Sequence, residues 1–196
     1  INNTLKFVDP NGMNIDFAEF IEKNGKENVY KIIYDLEKIT GLTLILEGTE
    51  LKYGDGIKGG SSEARIALIN AIDNTSNTIN VKFTEGETRT EIGGLNMEFN
   101  PNDAESFSNG SYGGLNSNTL GYGMTFLHEV MHTSLGLGVG DAEGFGQTGA
   151  VVDFMNSVRT QLGKGFGQRL SYNPLTIGNE RYIPFDKAGA HVWTPV

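Results

Sequence analysis

The chain contains no cysteine in its 196 residues, so disulfides and any thiolate-bound metal are ruled out. That absence is compatible with either an oxidising or a reducing compartment. Cationic side chains are also scarce: 15 Lys and Arg stand against 24 Asp and Glu, a formal charge of −9. Phosphate backbones are gripped through a basic footprint, so this balance excludes nucleic acid as a partner. No stretch is apolar over the ~20 residues needed to cross a bilayer, and no membrane span is expected. Ile1 to Pro10 lacks the basic-then-apolar pattern of a secretory signal, and no Met opens the chain. It is therefore expected to be part of something longer. Histidine, too, is rare, at three residues.

Glycine is abundant, at 27 residues, and predicts many turns and long loops. The length suits one domain with a sizeable core. Residues 1–16 read as an extended lead-in with a turn at Asp9-Pro10-Asn11-Gly12. A helix is predicted from about Asn28 to Ile39, where Val29, Ile32, Ile33, Leu36 and Ile39 follow a 3.6-residue period and Gly41 can cap. Leu42 to Leu46 and Leu51 to Tyr53 read as strands around a turn, and Ser61 or Ser62 can cap a second helix through Ile72. Ile79 to Phe83 and Leu95 to Phe99 alternate like half-buried strands. Residues 100–123 read as a long Asn-, Ser- and Gly-rich loop, followed by two helices. This order implies an α+β domain over residues 17–196 rather than regular βαβ alternation.

Two of the three histidines fall in His128-Glu129-Val130-Met131-His132. On an α-helix, four residues advance about 400°, which leaves the imidazoles ~40° apart and ~6 Å along the axis. Both nitrogens can then share one tetrahedral zinc, with Glu129 on the adjoining face as general base. Met124, Leu127, Met131 and Leu135 form an apolar stripe that Phe126 and Val130 widen, while Thr125, His128, Glu129 and His132 form one polar sector. A helix apolar on most sides is buried, and polar groups on it need partners.

A hydrolytic zinc site takes three protein ligands and keeps one position open. Asp141, Glu143, Asp153 and His191 all follow the motif. Asp153 points ~160° from the apolar stripe of Val151, Phe154, Met155, Val158 and Leu162, which suits a solvated face. Asp141 and Glu143 lie among glycines at 136, 138, 140, 144, 146 and 149, which can turn the chain back under the metal. Glu143 is the expected third ligand; Asp141, Asp153 and His191 are its rivals. Tyr172 and Tyr182 are candidate oxyanion donors.

The HExxH helix resembles the zincin superfamily. That resemblance implies a mixed sheet whose edge strand binds extended substrate above the metal, and Leu95 to Phe99 is the expected edge. Asn2-Asn3-Thr4-Leu5-Lys6-Phe7-Val8-Asp9-Pro10-Asn11-Gly12-Met13 resembles the closing motif of RHS repeat-associated cores, with Thr4 at a usual proline and Met13 at a usual leucine. In such proteins a variable toxin domain follows the motif. Gly146 to Tyr172 is also similar to metallopeptidase domains attached to those cores, through Gln147-Thr148-Gly149, Val151 to Asn156, Arg159, Leu162-Gly163 and Gly167-Gln168-Arg169. The resemblances imply residues 1–16 as the core's end and residues 17–196 as a zinc endopeptidase effector, secreted or delivered, acting on a protein or peptide and countered by an immunity protein. The alternatives are another zinc hydrolase, such as a peptidoglycan amidase, and a non-catalytic zincin-like binding module.

Overall fold

Apolar side chains at Val29, Ile32, Ile33, Leu36 and Ile39 line one face of the second helix, α2 (Glu27–Thr40), which follows a short α1 (Ala18–Asn24). Gly41 ends α2 at φ 74°, the left-handed conformation that glycine adopts without strain. The computed structural model describes residues 15–108 and 113–195. The motif at residues 2–13 lies outside them.

The α2 face packs on a six-stranded mixed sheet formed by β1 (Ile15–Asp16), β2 (Leu42–Glu47), β3 (Glu50–Ile57), β4 (Ile79–Phe83), β5 (Arg89–Thr90) and β6 (Asn96–Phe99). Their order is β2-β3-β1-β4-β6-β5, with β1–β4 and β4–β6 parallel. Ile15 and Asp16, expected in the lead-in, are thus inner residues of the sheet. The expected edge at Leu95 to Phe99 is corrected as well. Residues 89–90 fold back antiparallel on β6, so β5 is the edge and β6 is internal.

Helix α3 (Ser62–Ile72) opens with the Ser61 hydroxyl accepting the Ala64 N–H at 3.2 Å. The predicted loop at 100–123 includes α4 (Pro101–Ser108) and a 3₁₀ turn at Ser117–Leu120. Asn100 starts α4, its Oδ1 accepting the Asn102 N–H while its amide donates to Gly86. Sequence pattern missed this helix because its apolar positions are few.

Two long helices follow, α5 (Tyr122–His132) and α6 (Gly149–Leu162). Phe126 of α5 stacks on Phe17 at 5.6 Å and meets Phe99 edge-on at 6.0 Å, which fixes the helix to the sheet. At its other end α5 crosses α2 closely at Gly123. A Cβ there would lie 2.8 Å from both Asp35 C and Leu36 N. The Tyr122 and Gly123 N–H groups, two donors that a helix start leaves open, favour the charge of the Asp35 carboxylate. A second sheet, β7 (Gln168–Arg169), β8 (Leu175–Ile177), β9 (Glu180–Lys187) and β10 (Ala190–Pro195), closes the chain. In it β9 pairs with the other three strands. The architecture is α+β.

Candidate metal centre

Helix α5 is buried on nearly every side, and His128, Glu129 and His132 share its one polar sector. His128 Nε2 and His132 Nε2 stand 3.1 Å apart. His132 Nδ1 lies 2.7 Å from the Val139 carbonyl, to which it donates, so its Nε2 lone pair faces His128. One ligand atom from each of His128, Glu129 and His132 falls within 4.8 Å of the others, a group that could hold a metal ion.

The chain reverses immediately after α5. Leu137 and Gly138 N–H both donate to the Met131 carbonyl, and Gly138 takes φ 66°. Gly136 is required there, because a Cβ would sit 2.5 Å from Met131 Cα. The reversal is complete in six residues and delivers Asp141 under the imidazoles. Its Oδ1 is 3.4 Å from His128 Nε2 and its Oδ2 3.1 Å from His132 Nε2.

These separations have a physical meaning. Ligand atoms ~2.05 Å from a tetrahedral zinc lie ~3.3 Å from each other. The two imidazole nitrogens stand 3.1 Å apart, and a different Asp141 oxygen approaches each of them, Oδ2 at 3.1 Å from His132 and Oδ1 at 3.4 Å from His128, all close to that edge. Asp141 Oδ1 is also buried without a hydrogen-bond partner among the described residues, so it carries a lone pair that a cation would satisfy. Two imidazoles and a carboxylate, with no thiolate, form a donor set that fits zinc.

The electrostatics agree with a cation site. Burial would raise the Asp141 carboxyl, but the adjacent His128 and His132 imidazoles outweigh it and hold the group well below the ordinary carboxylate range. Burial opposes a proton on His132, yet the bond to Asp141, the Val139 carbonyl and the charge of Glu129 raise its pKa. Glu129 is buried, and its Oε2 accepts a 2.8 Å hydrogen bond from the Thr90 hydroxyl on the edge strand. The Tyr172 ring lies parallel to the His128 imidazole, 6.0 Å away, and the Arg169 guanidinium sits 4.9 Å from the same ring. Burial, then the neighbouring Asp141 charge, push the Tyr172 phenol well above its usual value.

The structure does not bring the remaining candidates to the imidazoles. Glu143, the expected third ligand, has an exposed side chain, and its backbone carbonyl is engaged by Asn173. The fast reversal explains this correction: by position 143 the loop has already left the metal side. Asp153 is exposed and accepts a hydrogen bond from Thr148. His191 is exposed on β10, and the Tyr182 hydroxyl turns to Glu180. Thr90 and Asn173 carry no signal in the sequence, since their roles arise only from chain positions far from the motif. Comparison with known proteins supplies no relative: no family model, curated protein or solved structure matches this chain.

Proposed function

We propose that this chain is a zinc-dependent endopeptidase of zincin-like fold, with His128, His132 and Asp141 as ligands and Glu129 as general base. The observation that carries the reading is the convergence of the two imidazole nitrogens and the Asp141 carboxylate at separations close to a tetrahedral edge, beside a second, separately anchored carboxylate. Zinc held by His128, His132 and Asp141 would supply a Lewis acid able to polarise a peptide carbonyl and to make water more acidic. Glu129 accepts the proton of the attacking water and passes it to the departing amine. Thr90 orients Glu129 through its hydroxyl, leaving one carboxylate oxygen for the proton. Tyr172, next to His128, donates a hydrogen bond to the oxygen that becomes negative.

Among the described residues strand β5 pairs on one side only, with β6, so its free edge suits an extended peptide. Ile92, just beyond β5, is 63% exposed, and its side chain fills the space that a Cβ at Gly140 would need; Leu137 and Val139, in the same loop as Gly140, are also exposed. Such an apolar rim favours substrates with bulky apolar side chains near the scissile bond. The effector role rests on the residues 2–13 motif. Toxicity of the parent inside a cell, absent in Glu129→Gln, is its test.

The central experiment is elemental analysis plus peptide cleavage. The parent should carry close to one zinc per chain, and Glu129→Gln should keep that zinc while losing cleavage. No uptake of zinc at neutral pH, or parental cleavage by Glu129→Gln, would overturn the reading.

A further inference from the structure

We propose that Arg169–Asn173 is the positioning element of the metal centre, and that Asn173 sets the affinity for the ion through main-chain carbonyls of the Asp141 loop. The inference rests on the reading of His128, His132 and Asp141 as ligands. Residues 139–147 contain no helix or strand, and three of those nine residues, Gly140, Gly144 and Gly146, are glycines, as are Gly138 and Gly149 on either side. A loop of that kind does not by itself hold a carboxylate at one point, because the unbound chain has many conformations to lose.

What restrains it is a short segment from the far side of α6. The Asn173 side-chain amide donates to the Ala142 carbonyl at 3.1 Å and to the Glu143 carbonyl at 2.6 Å. Ala142 is the residue next to the ligand. Farther along, the Tyr172 N–H donates to the Gln147 carbonyl at 2.9 Å, and the Gly146 N–H donates to the Ser171 hydroxyl at 2.9 Å. The Ser171 hydroxyl in turn donates to the Asn173 carbonyl at 2.8 Å, closing the segment on itself.

The segment is anchored from below. Arg169 is buried, donating from Nε to the Ser171 carbonyl at 2.9 Å and from Nη2 to the Tyr172 carbonyl at 2.5 Å. No carboxylate pairs with it among the described residues; burial pulls its guanidinium down to about 10, and it stays charged at neutral pH. Asn156 on α6 grips the Arg169 backbone at both polar atoms, each at 2.8 Å. Restraint therefore passes from α6 to Arg169, to residues 171–173, and so to the carbonyls flanking Asp141. Outer partners of this kind change metal affinity by roughly 10- to 100-fold when removed.

The test titrates the full chain with Zn²⁺ against a chromophoric chelator and with Co²⁺ by visible absorption. Asn173→Ala should lower Zn²⁺ affinity about tenfold or more and weaken the cobalt bands, because Asp141 is no longer held at one distance. The unfolding midpoint of the metal-free protein should move little. Ser171→Ala should shift affinity the same way by less, and it decides the matter if Asn173→Ala does not fold. Glu143→Ala, which keeps its carbonyl, should match the parent. Parental affinity and a parental cobalt spectrum in Asn173→Ala, or in Ser171→Ala where only that variant folds, would overturn the proposal while leaving the ligands standing. A parent that binds neither metal would instead remove the ligand reading itself.

Discussion

Replacing Gly123 by alanine tests how the metal helix is held against its neighbour. Two opposing effects meet at this position. Alanine raises helix propensity by up to about 1 kcal/mol relative to glycine. Its methyl, however, would lie 2.8 Å from Asp35 C and Leu36 N and 2.7 Å from Ile39 Cδ1, where ordinary contact begins at 3.4 Å. The isoleucine tip can rotate aside. The two backbone atoms belong to α2 and cannot, so the helices must separate by about 0.6 Å, the difference between 3.4 and 2.8. Separation also draws the Asp35 carboxylate away from the Tyr122 and Gly123 N–H groups that favour its charge. Overpacking of this kind costs about 1–3 kcal/mol, so after the propensity gain the net loss should be about 1 kcal/mol and at most about 2 kcal/mol. For a chain of this size the melting temperature should fall by roughly 2–4 °C per kcal/mol. Chemical denaturation of Gly123→Ala, with Gly123→Val as a more severe companion, measures this directly. A Gly123→Ala protein as stable as the parent, or more stable, would refute the close crossing.

Asp141→Asn keeps the shape of the ligand but removes its charge, and should lower zinc affinity at least tenfold, about 1.4 kcal/mol. A competition titration that returns parental affinity would exclude Asp141 as a ligand. Thr90→Val removes the donor to Glu129 without changing its volume. It should cut peptide turnover about tenfold, in keeping with the ~1.5–3 kcal/mol of a hydrogen bond to a charged group, with zinc content unchanged. Parental turnover would leave Glu129 oriented by something else. Asp35 gives a pH prediction. Burial raises its carboxyl above the ordinary 3.8, although the Gly123 and Tyr122 N–H groups and Lys38 favour the charge. The folded chain then holds that proton more tightly than the unfolded one, so stability falls as pH rises from 3.8 through the raised value. Asp35→Asn lacks this dependence, and the parent-minus-variant melting temperature should decline between about pH 3 and about pH 6. A flat or rising difference would contradict it.

Side-chain periodicity carried much of this fold. The stripe from Val29 to Ile39, the Ser61 cap and the alternation at Ile79–Phe83 all appear in the structure where pattern puts them. Helix α1 was not legible, because its seven residues bury a single side chain, Phe20, and show no period. Strand β5 is two residues long, too short to alternate, although it sets the sheet edge and supplies Thr90. The second sheet was hidden for a related reason: Pro184 falls inside β9, and β8 is only three residues long. In the site, the spacing of His128, Glu129 and His132 on one helix could be read directly. The carboxylate beside them could not. Asp141 and Glu143 share a glycine-rich loop, and the choice turns on how soon the chain reverses. That is decided by the carbonyl of Met131 receiving two N–H groups, an event no side chain announces.

The contacts from Tyr172 and Asn173 fall on the carbonyls of Gln147 and Glu143, whose side chains point to solvent. A carbonyl is common to every amino acid. Positions 143 and 147 should therefore accept almost any side chain in a saturation library, provided the loop path is kept. Positions 171 and 173, which grip with their own side chains, should tolerate few replacements. Mutational tolerance around the site would then alternate between neighbours in space, with the gripping segment constrained and the gripped loop free to drift.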